Sequence, residues 1–475
     1  MGFVLTVIYI ALTFVGPEQV FPVAWATYRP MLWLAILALI ASIGSVRPGT
    51  AIFRFQQTYG LSLFVIVVVF SQVVQMWLGG ALLAFEKFFP SAIVYYLLVL
   101  NANALKRVRL VAFTIVVAAI FLLGEAIRAY YTGWGGALFL LKEGIYSGDV
   151  LVGNLTRIRA LGFLNDPNDF AQYLVVMLPL IWLAWSRRKV FRNLLFVLLP
   201  TAYVLYGIYL THSRGALLGL AVVLLLALQP RLGRFGATIV ALGTILAMAA
   251  LNFAGGREIS VSAGVDRLEL WSTALQLFKQ SPIFGVGYGG FTDYAEQTAH
   301  NSFLLCLAEL GVVGFTVWLL LIVTTVQDLK GLTQEPGNTA PPEPEDEQTR
   351  NPGIRLEKQD RSSNLRAFSP QFSSGTASLM EEAQPNASTT DPIVIARWAR
   401  AIRLSLFGFL ATAWFLLRTY EVTLYLLIGL AVCLTALPSE HPKKKQLPLG
   451  RTLPIVAALE VAVVVVVYAT LRLAR

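Results

Sequence analysis

Apolar runs long enough to cross a bilayer recur from one end of this chain to the other. Within the hydrocarbon core each backbone N–H and C=O must be satisfied internally, which leaves helices and closed barrels. Runs near 20 residues suit helices. The predicted fold is therefore all-α, a polytopic transmembrane helical bundle of about 12–13 spans. The runs lie near 3–15, 30–45, 60–78, 89–104, 109–127, 168–186, 191–210, 213–229, 234–252, 300–326, 400–417, 421–437 and 453–471. The first has no basic residues before it and no small-residue cleavage site, so it reads as a span and not as a signal peptide. Only 13% of the 475 residues are charged, about half the share in soluble proteins.

Four regions follow. Residues 1–127 hold N-terminal transmembrane helices, and 128–330 form a core with long loops at about 128–167 and 253–299. Residues 331–396 are rich in proline, serine and glutamine and bury too little apolar surface to fold alone. This reads as a disordered cytoplasmic loop. Residues 397–475 return to transmembrane helices.

The net charge of +10 would suggest nucleic acid in a soluble protein. Here the basic residues fall in alternate short connections, the pattern of cytoplasmic loops. These hold Arg47 and Arg54; Lys106, Arg107 and Arg109; Arg187, Arg188, Lys189 and Arg192; Arg231 and Arg234; and Lys443, Lys444, Lys445 and Arg451. The expected partner is thus the lipid bilayer and not nucleic acid. Both long loops and the turn Thr211–Arg214 then face outward. Thirteen spans would leave Arg472 and Arg475 outside, against this rule.

Three outward stretches could carry chemistry. In Thr211-His212-Ser213-Arg214-Gly215, Ser213 can cap the next helix, whose N-terminal dipole favours an anion. Arg214 then binds either an anionic ligand or lipid headgroups. In Ala299-His300-Asn301-Ser302, a neutral histidine at a helix start can accept a proton, or it can be a polar cap. Glu309 lies nine residues on, about 13 Å along a helix, too deep to orient His300 and suited to a polar partner between helices. Arg157 and Arg159 precede the turn Asn165-Asp166-Pro167-Asn168, a helix start signal, and Arg267 lies in Asp266-Arg267-Leu268-Glu269. Arginine forks suit phosphate oxygens, and local carboxylates are the alternative partners of Arg267. Gly285-Val286-Gly287-Tyr288-Gly289-Gly290 fits the dinucleotide fingerprint by spelling alone. With no strand–helix unit around it, it reads as a flexible loop leading toward His300. No metal ligand cluster is evident, Cys306 and Cys433 lie in apolar runs, and the expectation is no metal and no cofactor.

In these residues the chain resembles the O-antigen ligase and O-antigen polymerase family of bacterial envelope glycosyltransferases. The resemblance runs from Arg157-Ile158-Arg159 through Pro167-Asn168, His212-Ser213-Arg214-Gly215, Asp266-Arg267 with Trp271, and Pro282 to Gly287. It ends in His300-Asn301-Ser302-Phe303-Leu304 and Glu309-Leu310-Gly311 with Gly314. It implies an undecaprenyl-pyrophosphate-linked glycan donor and a hydroxyl acceptor, which is lipid A core, a growing glycan or a protein. It implies a bacterial inner-membrane location with the site facing the periplasm, and no metal. It implies His300 as catalytic base and Arg214 and Arg267 as pyrophosphate ligands, with Arg159 a further ligand whose place Arg157 could fill. Two other classes stay open: a transporter or flippase, such as an inorganic-carbon transporter, which should show broken helices and an internal repeat, and a non-catalytic scaffold of an envelope complex that recruits partners through 331–396.

Overall fold

The computed structural model describes residues 1–44, 46, 55–147, 150–250, 261–333, 391–437 and 448–473. The chain forms two units, Met1–Thr333 with Thr390–Arg475, and Gln334–Thr389. The predicted disordered loop falls almost wholly in the second unit, outside the described residues. Its margins are helical, because one helix runs on to Thr333 and the next starts at Pro392.

The first unit is a bundle of helices with one small hairpin. In chain order these are α1 (Gly2–Val15), α2 (Pro22–Tyr28), α3 (Pro30–Ile43), α4 (Gln56–Val74), α5 (Leu78–Asn101), α6 (Leu105–Thr132) and α7 (Gly136–Phe139). Strands β1 (Leu140–Ser147) and β2 (Val150–Ile158) follow, then α8 (Pro167–Ile181), α9 (Val190–Asn193), α10 (Leu199–Thr211), α11 (Arg214–Ala250) and α12 (Val261–Gln280). The chain closes with α13 (Ser302–Thr333), α14 (Pro392–Ala413), α15 (Val422–Ala436) and α16 (Leu449–Leu473).

Among the described residues seven helices are long and apolar enough to cross a membrane, or eight if the bent pair α2–α3 is one span. The helical bundle expected from the apolar runs is therefore present. The predicted runs near 213–229 and 234–252 are the two arms of α11, which breaks at Gly233. The runs near 168–186 and 400–417 are helices α8 and α14, with Arg397, Arg400 and Arg403 in the first twelve residues of α14. α1 and α15 are apolar but short. α15 is buried along nearly its whole length, as expected for a helix apolar on every side.

Small residues set the closest approaches, as in membrane bundles generally. A Cβ on Gly219 of α11 would stand 3.2 Å from the carbonyl of Gly408 on α14, and one on Gly408 would stand 2.7 Å from Val223. Polar side chains join neighbours across the same interior. Asn101 donates to Ser42 (2.7 Å) and Thr6 (3.1 Å), which links α5 to α3 and α1.

Both long connections contain regular structure. Region 128–167 is not irregular: it contains the antiparallel hairpin β1–β2, with Leu141 opposite Arg157. Region 253–299 contains α12, which carries Arg267.

Candidate functional site at one end of the bundle

The hairpin holds the first arginines. Arg157 on β2 is buried, and its fork is committed to protein acceptors. Nε donates to the carbonyl of Thr211 (2.7 Å), Nη1 pairs with Glu143 of β1 (2.7 Å), and Nη2 donates to Oδ1 of Asn168 at the start of α8 (2.9 Å). Arg157 thus ties the hairpin to α8 and to the turn that presents Arg214. Arg159 donates to the carbonyls of Ala137 (2.8 Å) and Asn165 (3.4 Å). Replacing Arg157 with methionine would remove its three hydrogen bonds to Thr211, Glu143 and Asn168, at a cost of about 2 kcal/mol. A lowered midpoint of thermal unfolding in detergent would report it.

The Thr211–Arg214 turn needs a left-handed residue, and His212 takes that conformation (φ 51°). Its ring is buried 5.7 Å from that of Tyr209. Ser213 takes the cap position, with Oγ 3.4 Å from the N–H of Ala216. Arg214 is the first residue of α11 and is exposed.

His300 has the same local geometry, a left-handed residue (φ 44°) before a helix. The cap, however, is its neighbour. Oδ1 of Asn301 accepts from the N–H groups of Phe303 (3.0 Å) and Leu304 (3.1 Å). The capping role considered for His300 therefore belongs to Asn301. The His300 ring is half-buried, with Nε2 3.4 Å from Oε1 of Gln297.

Three segments bring their charges together here. Burial lowers the pKa of His300, the nearby Arg267 lowers it further, and Asp166 opposes both. Burial, and then the like charge of Arg214, lowers the pKa of Arg267. Arg214 from α11, Arg267 from α12 and His300 before α13 are therefore electrostatic neighbours. Asp166 is the cap of α8, accepting from the N–H of Asn168 (2.7 Å), as its turn sequence predicts.

The glycine-rich segment is not a flexible loop, because it is hydrogen-bonded into a break in α13. The helix interrupts at Gly311 (φ 62°, ψ −166°). Its freed carbonyls at Ala308 and Glu309 accept from the N–H groups of Val286 (2.9 Å) and Gly287 (2.9 Å). Its freed N–H groups at Val312 and Val313 donate to the carbonyls of Pro282 (2.8 Å) and Ile283 (3.2 Å). Gln75 donates to the carbonyl of Gly285, and Ser71 accepts from the N–H of Tyr288. The spacing of glycines answers to close backbone contact, as a Cβ on Gly285 would lie 2.4 Å from the carbonyl oxygen of Glu309. The Glu309 carboxylate accepts from the Tyr420 hydroxyl (2.9 Å) and from the N–H groups of Gly289 and Phe291. That is the interhelical polar partner expected for it.

Beneath His300 lies a charged group that sequence reasoning passed over. Arg418, in the turn between α14 and α15, is buried and ion-paired to Asp169 of α8 and to Glu421 (3.1 Å). The signal was available: Arg418 is a lone arginine between apolar runs, on the side away from the lysine- and arginine-rich connections. Among the described residues no group of three or more His, Cys, Asp or Glu side chains could hold a metal ion.

Comparison with known families finds a match that covers part of this site. The family model described as O-antigen ligase matches residues 199–319, from α10 into α13. Residues 199–319 are similar to the O-antigen ligase family. No match is found among curated proteins. The matched segment contains Arg214, Arg267, His300 and Glu309, whereas Arg157, Arg159, Asp166, Asp169 and Arg418 lie outside it. In broad terms the match supports a membrane glycosyltransferase of the ligase type.

Proposed function

We propose that the protein transfers a glycan from an undecaprenyl-pyrophosphate-linked donor to a hydroxyl acceptor at the periplasmic face of the bacterial inner membrane. The observation that carries this reading is that Arg267 is the electrostatic neighbour of both His300 and Arg214, within the segment similar to the O-antigen ligase family. His300 takes the proton of the acceptor hydroxyl, whose oxygen forms a new bond to the anomeric carbon. The bond from that carbon to the pyrophosphate oxygen breaks, and its electron pair leaves with the pyrophosphate. Arg214 and Arg267 offset the growing negative charge with fixed donors, and Arg159 is a further ligand at the edge of the site. A histidine with a lowered pKa is neutral at pH 7 and can act as a base.

The periplasmic assignment is supported by where the positive charge lies. Helices α8 and α14 both run from the site to the opposite end of the bundle. There Arg397 donates to the carbonyl of Trp185 (2.7 Å), beside Arg187, Arg188, Lys189 and Arg192. That end has the composition of a cytoplasmic face. The acceptor is lipid A core, a growing glycan or a protein, and all three present a hydroxyl.

The transporter reading draws on one observation, the broken helix α13. Transporters use such breaks to offer backbone groups to a solute. Here Pro282 to Gly287 already occupy them, which favours transfer over transport. The test is reconstitution in liposomes with a lipid-linked glycan donor and a hydroxyl acceptor. Release of undecaprenyl pyrophosphate should match glycan transferred. Arg214→Gln and Arg267→Gln should each raise the donor KM about tenfold or more, the loss of a charge-assisted hydrogen bond. Uptake of labelled solute without donor consumption would overturn the proposal.

A further inference from the structure

We infer that Arg418 is a positioning residue for His300, holding the starts of α8 and α13 in register around the candidate site. The inference rests on the proposed role of His300.

The α14–α15 turn grips the first residue of α13 at three points. The N–H of Arg418 donates to Oγ of Ser302 (2.6 Å), Oγ of Ser302 donates to the carbonyl of Leu416 (2.5 Å), and the hydroxyl of Thr419 donates to the carbonyl of Ser302 (2.7 Å). Ser302 lies two residues after His300. The side chain of Arg418 reaches the other way. Its guanidinium pairs with Asp169 in the first turn of α8, while Glu421 closes the pair from the turn itself. α8 begins at the cap Asp166, whose carboxylate acts on both His300 and Arg418. His300 thus sits between two helix starts that one buried cation joins.

Burying this ion pair returns much of its Coulomb gain as desolvation. An apolar turn would hold the two helices about as firmly. What the ions add is direction: a planar fork fixes where each carboxylate stands. With Asp169 and Glu421 paired to Arg418, the Asp166 cap of the same helix start stays within electrostatic reach of His300. A base displaced by about 1 Å loses on the order of 100-fold in rate, so the register of these helix starts bears directly on transfer.

The experiment compares Arg418→Lys, Arg418→Gln and the double variant Asp169→Asn with Arg418→Gln in the reconstituted full chain. The double variant removes one charge of each sign and keeps the net charge of the cluster, with Glu421 its one remaining carboxylate, whereas Arg418→Gln alone leaves both Asp169 and Glu421 without their cation. Two readouts are taken: kcat and donor KM for transfer, and the rate at which diethyl pyrocarbonate modifies His300, followed by peptide mass. The expected result for the double variant is a kcat about 100-fold lower, an unchanged donor KM and a several-fold altered modification rate. Arg418→Lys should recover part of kcat. A double variant with wild-type kcat and a wild-type modification rate overturns the inference. If His300→Ala transfers at the normal rate, the glycosyltransfer reading falls instead, and the modification rate still decides whether Arg418 positions His300.

Discussion

Replacing His300 with glutamine is expected to slow transfer by about 10²–10⁴-fold, the usual contribution of a positioned general base, while leaving the helices intact. Helix α13 takes its cap from Asn301, so loss of the imidazole leaves that start in place. The pH dependence gives a finer test. The base works when neutral, so activity falls as the pH drops through the pKa of His300. Burial and Arg267 both lower that pKa, which places the acid limb of kcat below the ordinary histidine range near pH 6.5. Arg267→Gln removes the cation and raises the pKa, so the acid limb should move to higher pH. Asp166→Asn removes the opposing carboxylate and should move it lower. A profile that stays fixed in both variants would show that another group titrates.

How much of this site the sequence displays depends on how far apart its parts lie along the chain. His212 and His300 stand just before helices, and their surroundings are readable from a few neighbours. Asp166 as a helix cap is equally local. The charge asymmetry that separates Arg187–Lys189 from Arg214 needs only a count of basic residues. The dipeptide Gly148-Asp149 between two runs that carry Leu, Ile and Val is a turn signal of the kind hairpins use. The length of the connection overshadows it, which is why the hairpin that anchors Arg157 is absent from the sequence reading. The role of Arg157 itself is beyond reach, because its partner Thr211 lies 54 residues away. Arg418 is hidden for the same reason: Asp169 and Ser302 reach it only after the bundle has closed. The glycine-rich segment misleads in a different way. Its spelling promises backbone approach to a phosphate, and it does provide backbone approach, but to the helix Ser302–Thr333.

That contact makes Gly311 a sensitive position in the bundle. Gly311→Val is expected to destabilise the protein by about 4 kcal/mol. Part of this is the backbone conformation, a positive φ with ψ near 180° that is essentially confined to glycine and costs other residues about 1–3 kcal/mol. Part is steric, since a Cβ at 311 would lie 2.3 Å from the carbonyl oxygen of Ile283, and forced overlap of this kind costs about 1–3 kcal/mol. The rest comes from hydrogen bonds that separate when the loop is pushed away, about 1 kcal/mol each. Unpaired backbone is least tolerable in a membrane bundle, where no water replaces the lost partner. Gly331, on the same helix, serves as the control, because a Cβ there would meet nothing within 4 Å. At that position alanine is expected to be neutral or to stabilise by roughly 0.5 kcal/mol, because helix propensity alone is at stake. Thermal unfolding of both variants in detergent separates the two accounts. A Gly311→Val protein as stable as Gly331→Ala would mean that the loop can leave the break without cost. His300 would then be held by Asn301 and the Arg418 turn alone, and the transfer rate of Gly311→Val should stay at the wild-type level.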